Sequence, residues 1–175
     1  MNQQIMNQQD SSSVTPSLES AINPHVLTVS PETSIADVIQ NMSAVSQVTS
    51  QAVGAVVDDG QPSETQRRAS CAVVIENQQV IGICTERDIV RLTASKLTML
   101  RSLADIPVRD IMTNPVKTLE KSAFQDIFAV LFLFRRYRIR HLPIVDDAQQ
   151  LIGIVTPASI REVLRPANLL KMRRV

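Results

Sequence analysis

Apolar and polar positions along this chain follow one order twice. Residues 26–29 form a short apolar, β-branched run that predicts a strand. From Ser34 to about Met42 the apolar residues Ile35, Val38, Ile39 and Met42 fall at helical spacing. Residues 71–76 and 80–84 are β-branched runs on either side of a polar turn, which predicts a hairpin. Thr85 then stands where a helix starts near Glu86 and carries Ile89, Val90 and Leu92; its hydroxyl is placed to accept from the unpartnered amides of the first turn. The second half repeats this order with a strand at 116–119, a helix from about Ser122, a hairpin at 142–145 and 151–155, and a cap at Thr156. Ahead of both copies, the stretch SLESAI reads as a short helical turn.

The letters repeat as well as the pattern. QQVIGICTERDIVRL around Gly82 returns as QQLIGIVTPASIREVL around Gly153, 71 residues later (153 − 82), so a structural unit is duplicated and a cleft between the copies is expected. The first-strand threonine and the cap threonine are 57 residues apart in copy one (85 − 28) and 38 in copy two (156 − 118). Copy one therefore carries 19 extra residues (57 − 38), and the polar stretch between about 46 and 68, with its DDG and QP breakers, is read as the inserted loop. Residues 1–17 hold little to bury and are expected to be disordered. The expected division is a tail at 1–17, a first repeat at 18–98, and a second repeat with a helical exit at 99–175. The closing LLKMRRV is a basic helical run without a stop signal, and suggests that the natural protein continues.

All the aromatic residues fall close together, as Phe124, Phe128, Phe132, Phe134 and Tyr137. The first three recur at i, i+4 and i+8, and Ile127, Val130, Leu131 and Leu133 make the other sides apolar too. Such a helix needs cover on more than one side. Burial against the sister repeat alone is one solution, and a dimer face is the one preferred here.

Composition limits the classes. With 175 residues and 44% hydrophobic content the chain can bury one sizeable core or two small ones. A net charge of +1 gives no case for wrapping nucleic acid or coating a membrane. The apolar run 127–134 is too short to span a bilayer, and the N-terminus lacks a basic start and an apolar h-region, so a cytoplasmic chain is the default expectation. A two-residue turn at Asn77-Gln78 would set Cys71 opposite Cys84. Two buried thiols in a reducing compartment are preferred over a disulfide or metal pair, since no His or Cys companions stand at ligand spacing. No nucleophile dyad, paired carboxylates or glycine-rich phosphate loop argues for an enzyme.

Strand, helix, hairpin with Gly-apolar-x-Thr, helix, in tandem, resembles the cystathionine-β-synthase-type (CBS) domain in its paired form. VRDIMTNPVKTL at 108–119 and RIRHLPIVDD at 138–147 are similar to the start and the second strand of such a repeat, and the resemblance runs from about Leu18 to the end. It implies an α+β fold of β-α-β-β-α repeats, a pseudo-two-fold module of two packed three-stranded mixed sheets with outer helices. It also implies clefts that bind adenine nucleotides or adenosyl ligands and regulate an attached domain without catalysis. A narrower likeness is to modules at the front of bacterial sensory proteins such as sensor histidine kinases.

The family's ligand motif is Thr or Ser, two residues, then Asp, which Thr85 and Asp88 satisfy. A carboxylate one turn past the cap can accept from both ribose hydroxyls, while the helix N-terminus offers amides to phosphate. Copy two has Thr156 but Ser159 in place of the carboxylate, so its cleft is expected to be weaker or empty. The resemblance puts the adenine slot at the first strands, including Thr28 and Thr118, with walls from Leu142, Pro143, Cys71 and Ala72. Arg87 and Arg140 are either phosphate contacts or solvated charges, and His141 reads more readily as a packed hydrogen-bonder than as a ligand group. The expected partners are an adenine nucleotide, a second copy and a downstream signalling domain, with no cofactor and no metal. The alternative is a dimerisation module that binds nothing.

Overall fold

The duplicated hairpins are the frame. β2 (Cys71–Glu76) and β3 (Gln79–Thr85) run antiparallel, and β1 (Thr28–Val29) joins the other edge of β2 in parallel, with Thr28 beside Val73. The second repeat builds the same sheet from β4 (Leu119–Glu120), parallel to β5 (Leu142–Val145), which is antiparallel to β6 (Leu151–Val155). The result is the expected pair of mixed three-stranded sheets, ordered β1-β2-β3 and β4-β5-β6. Around them stand α1 (Ile35–Gln51), α2 (Glu86–Thr93), α3 (Leu97–Leu100), α4 (Ile127–Tyr137) and α5 (Pro157–Val163). The structure, a computed structural model, describes residues 18–51, 69–95, 97–124 and 126–165. The expected tail, most of the insertion and the C-terminal exit lie outside these residues.

Several boundaries differ from expectation. α1 continues to Gln51, through the start of the stretch read as a loop, because no Gly or Pro interrupts it before Gly54. The first strands shrink to two residues each, at Thr28–Val29 and Leu119–Glu120. The aromatic helix does not start near Ser122. Lys121–Ala123 is a 3-10 turn, and α4 begins only after Asp126, whose carboxylate accepts from the Phe128 amide at 2.8 Å. The Phe124, Phe128, Phe132 stripe is thereby broken. Phe124 is buried in the repeat-two core, whereas Phe128 and Phe132 are 75% and 63% exposed.

The first hairpin turns at Asn77-Gln78 as expected, both residues at positive φ (50° and 67°), the twist that suits a two-residue connection. Its register does not follow the turn to the end. A bulge between Val74 and Ile75 shifts the pairing by one residue, so Cys71 lies opposite Thr85 and Ala72 opposite Cys84. The cysteines therefore point to opposite faces. Cys71 packs with Val73, Ile83 and Ile154 between the two sheets, and Cys84 packs with Ala72 and Val74 under the helices. Both thiols are free.

The two repeats exchange their leading segments. Asn23, ahead of β1, exchanges two backbone hydrogen bonds of 2.9 Å with Ile154 of β6, while Thr113, ahead of β4, does the same with Ile83 of β3 at 2.8 and 3.2 Å. The packing agrees: Ala21 is buried in the repeat-two core, and Ile106 and Val108 in the repeat-one core. This exchange explains the repeated glycines. A side chain at Gly153 would run into the Asn23 backbone and Ile22, and one at Gly82 would run into Met112.

Candidate functional site

Thr85 ends β3 in an extended conformation, and the chain enters α2 at once, which sets Thr85 and Asp88 one turn apart. Asp88 Oδ2 accepts from the Thr85 amide at 2.9 Å and from the Thr85 hydroxyl at 2.6 Å. The hydroxyl expected to serve the helix amides donates to the carboxylate instead, and the carboxylate caps the Thr85 amide. Among the described residues Asp88 Oδ1 meets only the exposed Arg91 guanidinium, at 3.8 Å, beyond hydrogen-bond reach. Asp88 itself is only 11% exposed. One oxygen caps the helix and the other retains acceptor capacity.

The same position in repeat two is built differently. Ser159 Oγ accepts from the Thr156 amide at 3.0 Å, its hydroxyl donates to the Thr156 carbonyl at 3.0 Å, and its amide donates to Thr156 Oγ1 at 3.1 Å. Serine performs the capping as the aspartate does. It brings no charge and no second oxygen, so the two helix starts are alike as structure and unlike as acceptors.

A residue from repeat two reaches the start of α2. His141 Nε2 and Ser70 Oγ are hydrogen-bonded at 2.7 Å across 71 residues of sequence, which is the repeat spacing. The two are therefore equivalent positions, and their bond lies on the pseudo-two-fold axis. The Ser70 carbonyl in turn accepts from the Glu86 amide at 3.3 Å. Burial holds the His141 pKa below the usual histidine range; the Glu86 carboxylate opposes this, and the Arg140 guanidinium adds to it. Burial also pushes the Cys71 thiol up to about 12, with Cys84 and Glu86 adding, and the Cys84 thiol up to about 12, with Asp88 adding. These thiols stay protonated and unreactive near neutral pH.

Thr85, Asp88, Cys71, His141 and Arg140 are thus gathered with Ser70 and Glu86 around one helix start. Leu142 and Pro143 are buried on β5, Ala72 is buried on β2, and Thr156 and Ser159 form the second helix start. Thr28 is exposed and Thr118 is half-buried just before β4; among the described residues neither is tied to the cluster by a hydrogen bond. Arg87 and Arg140 are exposed, with no ion-pair partner among the described residues. Ser70 and Glu86 were not singled out from sequence, although Ser70 lies one repeat before His141. Among the described residues no group of three or more His, Cys, Asp or Glu side chains could hold a metal ion, and no helix is long and apolar enough to cross a membrane.

A second feature lies elsewhere. An open groove of about 810 Å³ runs along α4, lined by Phe128, Leu131, Phe132, Arg135 and Arg136, with Pro157 of α5 at its side.

Comparison with known proteins agrees with the architecture. The family described as CBS domain matches residues 108–166. The uncharacterized protein MK0525 of Methanopyrus kandleri is 39% identical over 94 residues, 54% of this chain and 45% of that protein. The chain spans about half the length of the first curated relatives it matches. Among solved structures, the CBS domain protein NE2398 superimposes with a TM-score of 0.60 at 22% identity, covering 84% of this chain and 93% of that one. CBSX2 in complex with AMP superimposes with a TM-score of 0.59 at 18% identity, covering 90% and 98%. Residues 108–166 are similar in sequence to the CBS domain, and the described chain has the fold of the CBS-domain proteins.

Proposed function

We propose that this chain is a regulatory module that binds an adenine nucleotide at the start of α2, with Asp88 Oδ1 taking the ribose hydroxyls. The observation that carries the reading is the asymmetry of the two helix starts: both are capped, and only Asp88 has a charged acceptor left over. A structure of CBSX2, of the same fold, holds AMP. Glu86 and Asp88 make the first turn of α2 acidic, so phosphate depends on Arg87 and Arg140. Occupancy then alters the angle between the repeats, and through it a signalling domain of the same protein.

Calorimetry with AMP, ADP and ATP tests this, and Asp88→Ser is the informative variant. Ser159 demonstrates that serine caps such a helix, so the substitution removes the charge and keeps the cap. Affinity is expected to fall by about 1.5–3 kcal/mol, the scale of hydrogen bonds to a charged group. An unchanged dissociation constant overturns the assignment.

A second reading has its own observation. Phe128 and Phe132 are exposed beside an open apolar groove, which favours a second copy of the chain as their cover and a homodimer formed through α4. On that reading alone the module dimerises and binds nothing.

A further inference from the structure

We propose that the Ser70–His141 hydrogen bond is a proton-operated latch between the two repeats, closed while His141 is neutral and opened when it is protonated. We propose further that the latch sets ligand affinity at the start of α2; this second half rests on the function proposed above. The two residues occupy equivalent positions, and their 2.7 Å bond is a side-chain link on the axis about which the repeats are related. Gln78 and Gln150 make another side-chain link between the repeats, at an exposed site. The two sides of the latch are chemically unequal. Serine cannot change charge, whereas imidazole is the side chain that does so between about pH 5 and 8.

The surroundings decide which way the proton acts. The charged groups facing the ring are Glu86 from α2, which attracts an imidazolium, and Arg140 from its own segment, which repels it. Cys71, beside Ser70, remains a neutral thiol. Loss of water is the largest influence on the ring, so the charged form gains most by regaining water, and parting of Ser70 and His141 would supply it. Ser70 also holds the first amide of α2 through its carbonyl, and movement there passes to the turn that carries Thr85 and Asp88. The backbone bridges Asn23–Ile154 and Ile83–Thr113 still join the repeats when the latch opens.

Nuclear magnetic resonance over about pH 8 to 5, with no ligand, tests the latch directly. The His141 ring is expected to titrate below about 6.5. The amide shifts of Ser70, Cys71, Glu86 and Asp88 are expected to move with the same midpoint. In His141→Gln, which keeps a hydrogen-bonding group and cannot be protonated, those shifts stay still. In Ser70→Ala, which keeps the histidine and removes its partner, the midpoint rises. Shifts that ignore the His141 titration, or that move equally in His141→Gln, overturn the latch. AMP titrated at about pH 7.5 and 5.5 tests the link to the site: affinity should fall roughly fivefold in acid in the parent and not in His141→Gln, the low end of coupling between sites. Equal acid sensitivity in both proteins overturns the link. Failure of AMP to bind at either pH overturns the nucleotide reading, while the amide shifts still decide the latch.

Discussion

Replacing Gly153 by alanine tests whether the exchange of leading segments holds the two repeats together. A methyl group there would sit 2.6 Å from the Asn23 carbonyl oxygen and 2.6 Å from Ile22 Cγ2. Comfortable contacts between carbon atoms start at about 3.5 Å, so the neighbours must retreat by roughly 1 Å. The Asn23 oxygen is the acceptor for the Ile154 amide, and retreat breaks a 2.9 Å bond. Overpacking of this kind costs about 1–3 kcal/mol and the lost hydrogen bond about 1 kcal/mol. The smaller backbone entropy of alanine in the unfolded chain returns about 0.5–1 kcal/mol, since Gly153 has a backbone conformation that alanine adopts. The net loss is about 2 kcal/mol, roughly a 30-fold shift in the folding equilibrium. Gly82→Ala is the control. There the obstacle is the Met112 thioether, the flexible end of an unbranched side chain, and the net loss should stay within about 1 kcal/mol. Urea unfolding should show a lower midpoint for Gly153→Ala with an unchanged m-value. A Gly153→Ala protein as stable as Gly82→Ala would refute the argument that backbone contact across the repeats requires glycine.

Other outcomes follow from the same geometry. Ser159→Asp restores the carboxylate to a helix start that already has its cap, so a titration with AMP should show added or tighter binding; stoichiometry and affinity equal to the parent would mean that something other than charge closes that cleft. Phe128→Glu alters a side chain that is 75% exposed, so it should leave folding intact and convert a dimer to a monomer in light scattering; a monomeric parent at tens of micromolar removes the dimer reading. The thiols of Cys71 and Cys84 have folded pKa values raised to about 12 from the ordinary 9.0, so the protection they contribute is complete below about pH 9 and is lost as pH rises toward 12. Native protein should accordingly resist iodoacetamide at about pH 8, and rapid alkylation of either cysteine would contradict its burial.

Features set by neighbours in the chain were legible in the sequence. Both hairpins, the turn at Asn77-Gln78, the caps at Thr85 and Thr156 and the duplication itself depend on residues within a few positions of one another, and the period of the apolar pattern records which face is buried. Thr85 and Asp88 were legible as a pair one helical turn apart for the same reason, while their reading as a ligand site came from the family resemblance. The tertiary structure decided the rest. A one-residue bulge placed Cys71 and Cys84 on opposite faces, because turn geometry sets the register only as far as the first irregularity. Phe124 continued the spacing of Phe128 and Phe132 and was nonetheless buried, because a new helix start at Asp126 broke the phase. The exchange of leading segments and the Ser70–His141 bond join residues that local pattern cannot connect, since packing of one sheet on the other creates them. The repeat spacing of 71 residues names the pair in principle, and only the position of the pseudo-two-fold axis makes them touch.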